Sequence, residues 1–169
     1  MFDGSSRRGI VRPSIVDLGL FQLDRAQALE EKGAAFAERV GGWLPFQNEH
    51  FPGSRFEVSR VRAYAVCFGH MVQLAEEDWL LDWFTTNDKT FACFKDGLDI
   101  VLALGAPVRC ELPLVMLGDY FASNAAERFG ACFCALGGVL YPSLMAAPRL
   151  GWHKHTQFLV LDETIPPGE

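Results

Sequence analysis

The side chains best suited to hold a metal ion in this chain are Cys132-x-Cys134 and His153-x-His155. On a strand, residues two apart point to one side, so each pair would present two ligands together, and soft sulfur with imidazole suits zinc. The spacing argues against it. Structural zinc sites commonly place about two to four residues between paired cysteines and about three to five between paired histidines, whereas a single residue separates each pair here. If residues 129–136 are helical, the two cysteines diverge by roughly 200° and cannot share an ion. No metal and no cofactor is therefore expected.

A Cys–His nucleophile is the second chemistry. Any of the five cysteines could meet His50, His70, His153 or His155 in space, with Asp119 or Glu111 orienting the imidazole. No local signature singles out a pair, and most of the cysteines lie in apolar runs, where a thiol stays protonated and inert. Gly151-Trp-His-Lys-His155 reads better as a polar edge, with Trp152 packing inward. The chain has no GxxxxGK[ST], GxGxxG, HExxH or GxSxG pattern.

The third candidate is a surface. Residues 76–84, EEDWLLDWF, read as a short helix with Trp79, Leu80, Trp83 and Phe84 on one face and Glu76, Glu77 and Asp78 in its first turn, at the positive end of the dipole. As plain structure, the tryptophans are core and the acids face water. As a site, Glu76, Glu77, Asp78, Trp79, Asp82 and Trp83 form a partner-binding surface, because tryptophan is enriched at binding hot spots and acids steer a basic partner.

The elements around these residues set the fold class. Residues 1–20, rich in glycine and serine, read as a flexible amino-terminal arm whose end is anchored by Ile15, Val16, Leu18 and Leu20, and residues 21–169 read as a single α+β domain. A helix is expected from about Asp24, a good N-cap, to Val40, with Leu29 and Phe36 inward and Glu30, Glu31, Lys32, Glu38 and Arg39 in water. A strand follows over Phe56–Phe68, with a bulge or an exposed first half at Arg60 and Arg62. Two β-rich runs on either side of Asp96-Gly97 predict a hairpin. Val108–Leu117 reads as extended, with Pro113 confining it to an edge or a bulge.

The uncharged run from Phe129 to Pro148 is long enough to span a bilayer, but Gly130, Gly137, Gly138 and Pro142 cut it into short pieces, so it is expected to be core. It reads either as a helix with Phe121, Ala125, Phe129, Phe133 and Leu136 on one stripe, or as a hairpin turning on Gly137-Gly138. The phenylalanine spacing favours the helix. Pro142 and Pro148 flank a connector, and Thr156–Asp162 is a closing strand. The whole is a largely antiparallel sheet with two or three helices packed on it.

Composition narrows the function classes. The 169 residues are half hydrophobic and include fourteen phenylalanines, ample for a core. The net charge of −6, with the basic cluster Arg7, Arg8 and Arg12 confined to the arm, disfavours nucleic acid. MFDGSSRRGIV lacks the apolar segment of a secretory signal, and an odd cysteine count without a framework fits a reducing compartment, so a soluble cytoplasmic protein is expected. The first functional reading is a small acidic protein-binding module that docks on, and in doing so inhibits, a larger basic protein. Membranes are not expected partners, and self-association is compatible with it. The second reading is a small enzyme or ligand-binding protein with an aromatic pocket and a Cys/His centre. The absence of nucleotide, metal and paired acid–base motifs puts the balance against an enzyme.

Overall fold

The computed structural model describes residues 13–40, 58–68, 86, 89–105, 113–124, 127–136, 139–146 and 153–163. They form an α+β domain built on a seven-stranded sheet. In chain order the elements are β1 (Ser14–Asp24), α1 (Leu29–Val40), β2 (Val58–Cys67), β3 (Thr90–Phe91), α2 (Phe94–Leu104), β4 (Leu114–Asn124), β5 (Glu127–Leu136), β6 (Val139–Ala146) and β7 (Gln157–Asp162). The strands lie in the order β1-β2-β7-β4-β5-β6, with β3 also paired to β7. Every pairing is antiparallel except β4 with β7.

β7 is a central strand, which explains why five of its six residues are buried. β2 runs along one side of it. Its other side is shared: β4 takes Gln157 and Phe158, and β3 takes Val160 and Leu161. The two strands meet where the Gly118 N–H donates to the Ala92 carbonyl at 3.0 Å. A Cβ at Gly118 would lie 2.8 Å from the Ala92 backbone, so only glycine permits this approach. The pairing of β4 with β5 jumps from Met116 to Tyr120 at the same place. Pro113 sits just before β4, where its missing N–H costs no ladder bond, and its carbonyl accepts the Gln157 N–H at 3.1 Å.

Both faces of the central strands are buried. On one face Val61, Ala63, Ala65, Leu114, Met116, Phe133, Leu159 and Leu161 pack with Leu29 and Phe36 of α1 and with Phe94, Leu98 and Val101 of α2. Phe133 lies between Phe36 and Phe94, with ring centroids 5.8 Å from each. On the other face Val66, Phe68, Val115, Leu117, Cys132, Phe158 and Val160 form a second cluster. Phe158 meets Phe68 and Phe91 there in edge-to-face geometry.

Several expectations are corrected. Asp96-Gly97 is no hairpin turn but the first turn of α2: the Asp96 carboxylate accepts the Cys93 N–H at 3.2 Å, and Phe94, Leu98 and Val101 fall at i, i+4 and i+7. The uncharged run is the hairpin and not the helix, since Leu136 pairs with Val139 across Gly137-Gly138. Pro142 belongs to β6, the last strand in the described sheet, where a missing donor is tolerated. Residues 14–20, expected in the arm, belong to β1. α1 begins at Leu29, and Asp24 instead caps the bend before it, accepting the N–H groups of Ala26 and Gln27 at 3.1 Å each. Lys32, expected in water, is buried.

The glycines give the first test. At Gly97 a Cβ would press on the Met116 side chain at 2.9 Å and the Phe133 ring at 3.1 Å, neighbours that are side chains and can give way. Helix propensity meanwhile favours alanine by roughly 1 kcal/mol. At Gly118 the obstacle is backbone. Thermal melts should show Gly97→Ala within about 1 kcal/mol of wild type and Gly118→Ala destabilised by about 2 kcal/mol or more. Equal effects would contradict this packing.

Candidate functional site

The polar chemistry of the described structure is concentrated in a buried ionic cluster where β1, α1, α2 and the end of β7 meet. Arg25 donates from Nε to Asp96 Oδ1 at 2.8 Å and from a terminal nitrogen to Asp96 Oδ2 at 3.2 Å, a two-pronged contact, while the same terminal nitrogen reaches Glu163 at 2.7 Å. Lys32 Nζ donates to both oxygens of Asp99, and the Lys95 ammonium reaches the Arg25 carbonyl at 3.4 Å. Burial alone would lower the Arg25 pKa, but the carboxylates of Asp96 and Glu163 more than offset it and hold the guanidinium firmly charged.

Asp99 shows the opposite balance. Burial pushes its carboxyl above the ordinary 3.8, Lys32 and the Asp24 N–H pull it back only in part, and Asp96 adds to the push. The folded state therefore binds this proton more tightly than the unfolded chain does. The stabilising contribution of this titration is full below pH 3.8 and is lost as pH rises through the raised value. Arg25 and Lys32 are bonded to carboxylates and Lys95 to a backbone carbonyl, so the cluster acts as a structural joint.

The thiols are equally occupied. Cys132 is buried at 3.7 Å from Cys134, and burial first, then Cys134, pushes its pKa up, so it is a poor nucleophile. Cys67 donates to the Lys154 carbonyl at 3.2 Å. His153 and His155 lie on an exposed turn closed by the Thr156 N–H on the His153 carbonyl at 2.9 Å, with their rings 5.2 Å apart. The structure does not bring Cys132 and Cys134 together with His153 and His155. Among the described residues no group of three or more His, Cys, Asp or Glu side chains is arranged to hold a metal ion. The six acidic and aromatic residues 76–79, 82 and 83 lie outside the described residues, as do His50, His70, Cys110 and Glu111.

What the structure adds is the edge strand β1, a surface the sequence places in the arm. Its 11 residues pair only with β2 among the described strands. The pairing skips Leu18 between Asp17 and Gly19, and Gly19 has φ +113°, with its N–H taken by the Asp17 carboxylate at 2.9 Å. This bulge inverts the alternation. Before it, Ile15 pairs with Val66 and Asp17 with Tyr64; after it, Leu20 pairs with Arg62 and Gln22 with Arg60. Ile15, Asp17, Leu20 and Gln22 thus share the face turned away from the helices. Ile15 is 49 % exposed, Leu20 41 % and, on the helix side, Val16 38 %. Asp17 is held below its ordinary 3.8, chiefly by the Arg62 guanidinium, with which it forms an exposed pair at 2.8 Å.

No protein-family model, curated protein or solved structure matches the chain. No described helix is long and apolar enough to cross a membrane.

Two measurements check this assignment. Lys32→Met leaves Asp99 buried without its cation and should cost about 3–5 kcal/mol, whereas Lys32→Met with Asp99→Leu should recover most of that loss. A double variant no better than the sum of its parts would show the pair is not one unit. Protein purified without added metal should carry no stoichiometric zinc. One tightly bound equivalent that disappears in Cys132→Ser/Cys134→Ser would reinstate the metal site.

Proposed function

We propose that this chain is a small acidic protein-binding module. The observation that carries the reading is the apolar edge of β1. Natural edges are commonly blunted by charged residues, proline, bulges or short length. β1 has one bulge and an Asp17 paired with Arg62, but it has no lysine or proline, runs for 11 residues and exposes three large aliphatic side chains. An extended segment from another protein would gain main-chain hydrogen bonds there, with side-chain contacts setting its register.

The net charge of −6 supports a larger partner with a basic surface. The acidic, tryptophan-bearing segment 76–83 is the part of the sequence suited to meet it, by the charge and composition of those residues alone. No observation favours the enzyme reading in the same way. The buried thiol is deactivated, and the phenylalanines of the core pack against one another.

Capture from the native host tests the proposal. Wild-type protein should retain a basic protein in a salt-sensitive manner. Ile15→Lys/Leu20→Lys should abolish that retention, and Glu77→Lys/Asp82→Lys should slow association by about tenfold, both at an unchanged melting temperature. A partner captured equally by all three proteins would overturn the reading.

A further inference from the structure

We infer that the segment added at the β1 edge is β1 of a second copy of this chain, in antiparallel two-fold pairing. The inference rests on the reading of β1 as an interface and gives that edge an occupant in the unbound protein, which a partner's segment displaces. A two-fold pairing must place residues of the same face opposite each other, because directly opposed side chains in an antiparallel ladder share a side. The bulge decides which register does so. It reverses the alternation between Asp17 and Gly19, so residues before it match residues after it. With Ile15 opposite Leu20 of the partner subunit, Ser14 falls opposite Phe21 and Val16 opposite Gly19, each of these pairs on a common face. The bulge residues Asp17 and Leu18 meet at the centre from opposite faces. The exposed aliphatic side chains Ile15 and Leu20 are then covered twice by one symmetric contact, as an isologous interface requires.

The charges fit the same arrangement. At the Ser14 end of β1, Cys67 pairs with Ser14 and holds the Lys154 carbonyl at 3.2 Å, which sets the exposed His153-Lys154-His155 turn beside that end. At the other end lie exposed Asp24 and, opening α1, exposed Glu30 and Glu31. Antiparallel pairing brings the acidic end of each copy toward the Lys154 ammonium of the other. A parallel arrangement would set like charges together. The Asp17–Arg62 pair at the centre is neutral as a unit and adds no net repulsion.

Sedimentation velocity on the full chain across a range of concentrations is the test. The 18.8 kDa protein should reach twice its mass as concentration rises, and salt should weaken the association. Ile15→Lys/Leu20→Lys should raise the dissociation constant by about tenfold or more, and Lys154→Glu should raise it less. If the double variant fails to fold, a photoreactive side chain at Leu20 should cross-link to the Ile15 region of the partner subunit. Wild type that stays monomeric at every concentration, or a folded double variant that dimerises unchanged, would overturn the inference. A monomeric wild type that still captures another protein through β1 would sink the dimer alone and leave the binding-module reading standing.

Discussion

The guanidinium of Arg25 joins parts of the chain far apart in sequence, reaching Asp96 71 residues away and Glu163 138 residues away. It sits at the bend that turns β1 into α1, against the first turn of α2 and beside the end of β7. The Asp96 carboxylate does two jobs there, pairing with Arg25 and accepting the Cys93 N–H that starts α2. A buried ion pair of this kind contributes little net stability, because desolvation consumes most of the attraction. Its effect is selective. Any packing of α2 on the sheet that separated Arg25 from Asp96 would leave two charges buried and unpaired, at a cost far above that of a misplaced methyl group. Lys32 on α1 and Asp99, one turn beyond Asp96 on α2, repeat the constraint.

With the helices fixed in this way, Phe133 has one place to go, between Phe36 and Phe94, and the sheet beneath it is covered. The second face is buried as well, around Phe158. The most exposed apolar material of the described structure is thereby left at the β1 edge, where Ile15, Val16 and Leu20 account for its exposed large hydrophobic residues. The chain passes directly from β1 into Arg25, so the strand that offers the surface for the functional proposal is anchored at one end by the buried charges.

How much of this could be read beforehand depended on whether a local pattern agreed with its tertiary setting. The α+β class, the inward face of α1 at Leu29 and Phe36, the strand over β2 and the closing strand β7 were legible because periodicity and burial coincide there. Asp96-Gly97 misled because its dipeptide signature is strong while its glycine serves a different need, room for Met116 and Phe133 above an α-helical backbone. The four-residue spacing of Phe94 and Leu98 was the competing signal. The Phe129–Leu136 run failed differently: on a strand buried on both faces alternation disappears, and the chance spacing of phenylalanines then imitates a helix. Lys32 and Arg25 were illegible as buried groups, since nothing near them in sequence announces a carboxylate some 70 residues away. The β1 edge was hidden by composition, because Gly19 reads as loop until its positive φ is seen to be a bulge inside a strand.

Hydrogen–deuterium exchange along β1 tests the central claim, that this edge is an interface, most directly. The protein alone at low concentration should exchange its outward-facing β1 amides rapidly, while those of β7 stay protected in the middle of the sheet. As protein concentration rises, protection should appear over residues 14–21 and leave β6, the last described strand on the other side of the sheet, unchanged. Exchange in β1 that is slow at every concentration, or fast at every concentration and unchanged by any captured protein, would contradict the account.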